Sequence, residues 1–393
     1  MSAGSIPISR PLFGAEEMEA VLEPLRTGWV VQGPKVAAFE AAFAEHVGTP
    51  HAIATSSCTT ALHLALVALD VGPGDEVVVP AFTWVATANV VEMQGARPVF
   101  VDVDLETFNA SAEVIEAAIT PRTKVIMPVS LFGLSAPMGP ILEIARARHL
   151  RVVEDDACAI GTWYEGRHAG TLADVGCFSF HPRKAITTGE GGMLITRNPD
   201  LAARVRSLRD HGASVSDLDR HQGARSFHLP DFDMVGYNYR MTDLQGALGV
   251  AQLARLDGIL AERTRLARRY DEALRVLQWL RTPRRPANGR HGYQAYVCLY
   301  APEPPTVANA ERLHAGRNAL MSRLEEQGIA TRPGTHALHL LGVYRRKYGL
   351  EPSGLPGAYL ADRVSLALPL FAGLTDAQQD LVVERLAAAA DDR

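Results

Sequence analysis

The chain has 393 residues, room for two or three domains of roughly 150 residues each and for a large buried core. Apolar residues make up 47% and charged residues 21%, which excludes a disordered chain, and the 33 glycines and 24 prolines follow no repeat period, which excludes collagen-like and low-complexity readings. A net charge of −5 without any basic block argues against a nucleic-acid binder led by phosphate contacts.

From about residue 50 to 200, short β-branched runs alternate with amphipathic stretches. His51–Ser56 reads as a strand and Thr59–Leu69 as a helix with Leu62, Leu66 and Leu69 on one face. Gly72-Pro73-Gly74 breaks the chain before a strand at Glu76–Pro80; a helix over about Trp84–Met93 and a strand at Arg97–Val103 follow. Next come a helix over about Ala112–Ile119, a strand at Lys124–Val129, and a helix with Pro140 in its first turn that ends near His149. Strands are expected at Arg151–Glu154, Gly176–Phe180 and Met193–Thr196. Such βα alternation predicts an α/β fold, a largely parallel sheet covered by helices on both faces, with ligands beyond the carboxyl ends of the strands.

After residue 240 the pattern changes. Met241–Leu280 reads as one or two long helices, 283–292 as a turn-rich connection, and the remainder as a strand (Tyr296–Tyr300) mixed with helices (Ala310–Gln327, Asp376–Ala390). The expected division is a large domain over residues 1–250, then a linker helix and a smaller C-terminal α+β domain over 251–393. The four cysteines, Cys58, Cys158, Cys177 and Cys298, form no CxxC pair, so neither a zinc site nor a disulfide framework is suggested. Met1–Gly14 has no apolar secretory core. Val77–Val91, broken by Pro80, Thr83, Thr87 and Asn89, is too short to span a bilayer; a soluble cytoplasmic protein is expected.

Three loops that follow strands carry the candidate chemistry. Thr55-Ser56-Ser57-Cys58-Thr59-Thr60 joins hydroxyls to free amides at a helix N-terminus, an anion site suited to phosphate; taken alone it reads first as a Ser/Thr N-cap without a ligand. Val152-Val153-Glu154-Asp155-Asp156 clusters carboxylates at a strand end, where they suit a cationic heterocycle nitrogen or a metal, or simply cap a solvated loop. Only four lysines occur, at 35, 124, 184 and 347; Lys184 follows a strand beside Arg183 and precedes the Gly-rich Thr187-Thr188-Gly189-Glu190-Gly191-Gly192. A neighbouring cation and partial burial favour the uncharged amine that a lysine nucleophile needs, although an exposed loop lysine is the commoner case. Anion cradle, buried carboxylate and poised lysine are together the parts that hold pyridoxal phosphate.

Long ordered segments bear this out as a resemblance. Gly28-Trp29-Val30-Val31-Gln32-Gly33-Pro34, the whole of 152–192, Gly236-Tyr237-Asn238-Tyr239-Arg240-Met241-Thr242 and Ser365-Leu366-Ala367-Leu368-Pro369-Leu370 are similar to the sugar aminotransferases of the DegT/StrS type, in the fold-type I group of pyridoxal 5'-phosphate enzymes. The resemblance implies that Lys184 bonds the cofactor and shuttles the proton, and that Asp155 faces the pyridine nitrogen. It places the amides of Cys58 and Thr59 and the hydroxyls of Thr59 and Ser179 on the phosphate, and Trp84 on the ring face, where core packing is the competing reading. Asn238 is implied to reach the phosphate from a neighbouring subunit, hence a homodimer with shared active sites. Three positions depart from the family pattern: Cys158, beside the ring, where glutamine or histidine is frequent, Asp156 for a small residue, and Ser130 for a histidine. The intact lysine argues against the dehydratase branch, which has histidine there.

The activity implied is a ping-pong transamination from L-glutamate to a nucleotide-linked keto sugar. The TTGEGG continuation resembles enzymes that aminate C4 of 4-keto-6-deoxy sugars, a dTDP-4-keto-6-deoxyglucose type of acceptor. The alternatives are a C3-keto sugar, a free cyclic ketone such as an inosose, and a regulator that binds the cofactor without turnover. Trp29, His181 and His336 are candidate acceptor-side residues; His339 belongs with them unless it is a surface or core histidine.

Overall fold

The computed structural model describes residues 5–215, 218, 229–286 and 288–391. Its centre is a seven-stranded sheet whose strands are, in chain order, β1 (His51–Thr55), β2 (Glu76–Pro80), β3 (Arg97–Val101), β4 (Thr123–Ile126), β5 (Arg151–Asp155), β6 (Val175–Ser179) and β7 (Gly192–Thr196). Their spatial order is β1-β7-β6-β5-β4-β2-β3. The β2–β3, β2–β4, β4–β5 and β5–β6 pairs are parallel, and β7 alone runs antiparallel to its neighbours β1 and β6. The largely parallel expectation therefore holds with one reversed strand. Every residue of β2, β6 and β7 is buried, as apolar strands covered on both faces should be.

The helices that bear on the site are α1 (Ala15–Thr27), α2 (Pro34–Val47), α3 (Cys58–Ala68) and α4 (Ala86–Met93). The first two end on left-handed glycines, Gly28 and Gly48, and α2 opens on Gly33-Pro34. Helix α2 is held at its start by a distant acid: the Asp243 carboxylate accepts from the amides of Gly33 (2.8 Å), Lys35 (3.0 Å) and Val36 (2.9 Å). Carboxylates favour this position because a helix N-terminus presents unpaired N–H groups and positive potential. Gly33 is required here, since a Cβ would fall 1.8 Å from Nε1 of Trp29. Trp84 lies outside the helix expected to begin with it: Phe82–Thr83 pairs antiparallel with His336–Ala337, and α4 starts only at Ala86.

Met241–Leu280 resolves into two helices, Asp243–Ala254 and Leu256–Leu274, and the chain is already extended again at Leu280–Arg281. That short strand, Tyr296–Tyr300 and Ser365–Leu368 form a three-stranded antiparallel sheet. Its strands, the helix Ala310–Glu326 and the start of the chain at Ile6 share one hydrophobic cluster. Among the described residues no helix is long and apolar enough to cross a membrane.

Candidate active site

The expected site residues converge on the carboxyl ends of β1, β5 and β6. Asp155 is the last residue of β5 and is buried. Its Oδ2 accepts from the Thr87 hydroxyl at 2.7 Å and its Oδ1 from the Ala157 amide at 3.2 Å. Burial raises its proton affinity, while Thr87, Ala157 and the charge of Lys184 act the other way. The acids on either side meet different fates. Glu154 accepts from the amides of Gly170, Leu172 and Ala173, yet burial still pushes it up to about 7. Asp156 is fully buried, neither oxygen has a hydrogen bond of good geometry, and Ser130 helps it only weakly. Burial first, and then the charges of Glu154 and Asp155, drive it far above the ordinary carboxylate range and favour its protonated form. The solvated-loop reading of the acid cluster is therefore excluded for all three.

Lys184 follows β6. Its amide donates to the His181 carbonyl at 2.8 Å and its Nζ lies 3.1 Å from Sγ of Cys158. Ser179, at the end of β6, is buried, and its hydroxyl accepts from the His181 amide at 3.3 Å. The flanking Phe178 and Phe180 pack on Phe43, with ring centroids at 5.2 and 5.6 Å, which fixes the strand end against α2.

At the end of β1, Ser57 caps α3: its Oγ accepts from the Thr60 amide at 3.1 Å, and the Thr60 hydroxyl turns back to the Ser57 carbonyl at 2.7 Å. The cap reading is thus correct, and it leaves the amides of Cys58 and Thr59 in the unpaired first turn of the helix. Sequence reasoning missed Gly192, which shapes the same place. A Cβ on it would sit 2.4 Å from the Ser57 carbonyl and 2.5 Å from the Cys58 nitrogen. Thr87 was missed too, because its partner Thr83 lies in the strand before the helix and the spacing of the two carries no helical signal.

Trp84 is 58% exposed, which removes the core-packing reading. Its ring lies edge-on to His336, with centroids 5.7 Å apart. His339 is fully buried and is a core histidine. Trp29 is half-buried, with Nε1 directed to the Gln32 carbonyl at 3.4 Å, and lies in the segment pinned by Asp243. His181 is half-buried, and its Nδ1 accepts from the Arg183 amide at 3.2 Å. Asn238 is exposed, with its backbone bridged to Asp210. It lies between Tyr237 and Tyr239, whose rings stack at 5.0 Å, and the Tyr239 carbonyl accepts from the Ser56 amide at 2.8 Å.

These parts suit pyridoxal phosphate. A buried, doubly hydrogen-bonded carboxylate, an amine on a loop and a helix N-terminus kept open by a glycine match a cationic ring nitrogen, an aldehyde and a phosphate respectively.

Comparison with known proteins agrees. Residues 11–387 match the family model described as the DegT/DnrJ/EryC1/StrS aminotransferase family. The chain is 43% identical over 383 residues to the GDP-perosamine synthase of Caulobacter vibrioides, covering 97% of each. Among solved structures it is similar to the aminotransferase TlmJ of Streptoalloteichus hindustanus (TM-score 0.88, 35% identity, 98% and 99% of the two chains). Spr1654 of Streptococcus pneumoniae, solved in a PLP-form, matches with a TM-score of 0.90 and 29% identity over 99% of each chain.

Proposed function

This chain belongs to the DegT/DnrJ/EryC1/StrS aminotransferase family and is a pyridoxal phosphate-dependent sugar aminotransferase; on that premise we propose that it transfers the amino group of L-glutamate to C4 of a nucleotide-linked 4-keto-6-deoxy sugar, by a ping-pong exchange in the cytoplasm. The observation that carries the reading is the convergence of Lys184, Asp155 and the N-terminus of α3 at the carboxyl ends of β6, β5 and β1. We read residues 1–250 as the cofactor-binding part and 251–393 as the linker helix and smaller domain that brings His336 to Trp84.

Bound pyridoxal phosphate supplies an electron sink for a carbanion next to nitrogen. The residues of this chain do the rest. Asp155 holds a proton on the ring nitrogen by charge pairing. Lys184 Nζ would hold the cofactor through its aldehyde and, as a free amine, would take the proton from the donor carbon and later return one to the acceptor carbon. The amides of Cys58 and Thr59, with the hydroxyls of Thr59 and Ser179, hold the phosphate; Cys158 lies beside the ring and Trp84 covers its face. Trp29, His181 and His336 are assigned to the acceptor side.

Asn238 is assigned to the phosphate of a second copy, which makes the working unit a homodimer. Exposed apolar residues support this: Met18, Leu22 and Leu25 form a stripe on α1, and Leu229 and Val235 are 84% and 90% exposed close to Asn238 in sequence.

The acceptor is of the dTDP-4-keto-6-deoxyglucose type on the strength of the Thr187–Gly192 segment. A GDP-linked sugar is a second reading, favoured by the relative named GDP-perosamine synthase. The test is a yellow absorption band in the purified protein that bleaches with L-glutamate and returns on adding an acceptor. Restoration by dTDP- but not GDP-linked 4-keto-6-deoxy sugar supports the first reading, and the converse supports the second. Return only with a C3-keto sugar or an inosose overturns both, and a band indifferent to every donor marks a non-catalytic regulator.

A further inference from the structure

Asp155 is joined by two hydroxyls to the short strand Phe82–Thr83, which pairs with His336–Ala337 in the C-terminal part of the chain. Thr87, fully buried in the first turn of α4, donates to Oδ2 at 2.7 Å. Its own oxygen lies 3.3 Å from that of Thr83, also buried. Thr83 in turn is the register partner of His336 in the two-stranded ladder, and the neighbouring Trp84 meets the His336 ring.

Each hydroxyl has one proton, so the direction of donation is constrained. The Ala157 amide can only donate to Oδ1, which leaves Oδ1 as an acceptor. With Thr87 donating to Oδ2, Thr83 is free to donate to Thr87, and the line runs from Thr83 through Thr87 to a charged Asp155. A proton on Oδ2 would reverse it.

We propose that Thr87 is a positioning residue of the transamination site: its hydroxyl fixes and polarises the Asp155 carboxylate, and through Thr83 couples it to the strand that carries His336. The inference rests on the assignment of Asp155 to the ring nitrogen. Burial favours the protonated acid, and the groups facing it decide the balance. Lys184, from the loop after β6, favours the charge. Cys58 at the start of α3, Cys177 on β6 and Asp156 next to it in the chain lie close enough to share its field. Losing the Thr87 donor leaves a buried Oδ2 unpaired and tips Asp155 toward its neutral form.

The test is Thr87→Val, which keeps the shape and removes the hydroxyl, compared with Thr87→Ser and Thr83→Val in the full-length holoenzyme. Thr87→Val is expected to weaken pyridoxal phosphate retention about tenfold by fluorescence titration. It should also lower kcat about tenfold with KM for L-glutamate little changed, and move the acid limb of the kcat profile upward by about one pH unit. Thr87→Ser should restore all three, and Thr83→Val should shift the limb the same way by less. If the valine variant does not fold, the serine and Thr83 variants decide: an unmoved limb in Thr83→Val or a moved one in Thr87→Ser overturns the proposal. A Thr87→Val protein with native cofactor affinity and pH profile, altered only in Tm, overturns it alone. A native protein that takes up no pyridoxal phosphate overturns the Asp155 assignment as well.

Discussion

The rim formed by β5 and β6 and the segment around Asn238 contribute to the same proposed site under opposite conditions. At the rim, Asp155, Ser179 and the Gly192 approach to α3 are buried and their polar contacts come from within one chain. Asn238 is exposed between the half-buried Tyr237 and Tyr239, and nearby Val235 is 90% exposed. A carboxylate works on a ring nitrogen only where water is kept away, so the rim must be finished before the cofactor arrives. An exposed apolar segment is finished by something else, and in the reading proposed above that is a second copy of the chain.

The largest expected effect lies at the rim. Lys184→Ala should lower turnover by on the order of 10³-fold or more and remove the yellow band, measured by initial rates and absorption; retained steady-state transamination would rule out its role. The contrasting change is Leu25→Glu, on the exposed stripe of α1. It should leave the circular dichroism unchanged but shift sedimentation from dimer to monomer and weaken cofactor binding roughly tenfold, as loss of a charged hydrogen bond to the phosphate would. A monomer with full cofactor affinity would show that the rim needs no second copy.

The same contrast governs what could be read in advance. Strands such as Glu76–Pro80 and Tyr296–Tyr300 were legible to the residue because β-branched runs between turn residues have few other uses. Lys184, Asp155 and the Ser57 cap were legible because each follows a strand, where ligands bind in such sheets. Helices α1 and α2 went unread although Gly33-Pro34 opens α2 and Gly28 and Gly48 close the two helices; the Asp243 carboxylate that anchors α2 lies 207 or more residues away and leaves no local trace. The reversed β7 leaves no local trace either, as a strand reads the same in both directions. Gly192 and Thr87 act through contacts with distant backbone and side chain, and one sequence does not show which glycine or threonine has such a neighbour.

Gly192→Ala tests the rim without removing a polar group. Its Cβ would fall 2.4 Å from the Ser57 carbonyl, and β7 or the start of α3 must move. Overpacking of this kind costs roughly 1–3 kcal/mol, to be read from denaturant midpoints. It should also weaken pyridoxal phosphate binding more than it weakens the fold. Equal loss in both would mean that the open helix start serves packing alone.

The smallest expected effect concerns the acid that the mechanism does not use. Asp156 is neighbour to Asp155, equally buried, but without its donors. Burial, and then Glu154 and Asp155, raise its proton affinity far above the ordinary value of 3.8, so the folded protein binds a proton there that the unfolded chain releases above about pH 4. The folded state thus binds more protons than the unfolded state, and stability must fall as pH rises through this window. Asp156→Asn has no proton to lose. Near pH 5 the two proteins should melt within about 1 °C of each other. At pH 9 the variant should be more stable by about 1–2 kcal/mol, or roughly 2–4 °C in Tm, with cofactor affinity unchanged. Parallel Tm–pH curves would mean that Asp156 is already charged in the fold, paired with a donor that enters only with the bound cofactor or the second subunit. The division between a rim complete in one chain and a segment that needs another would then have to be redrawn on the far side of β5.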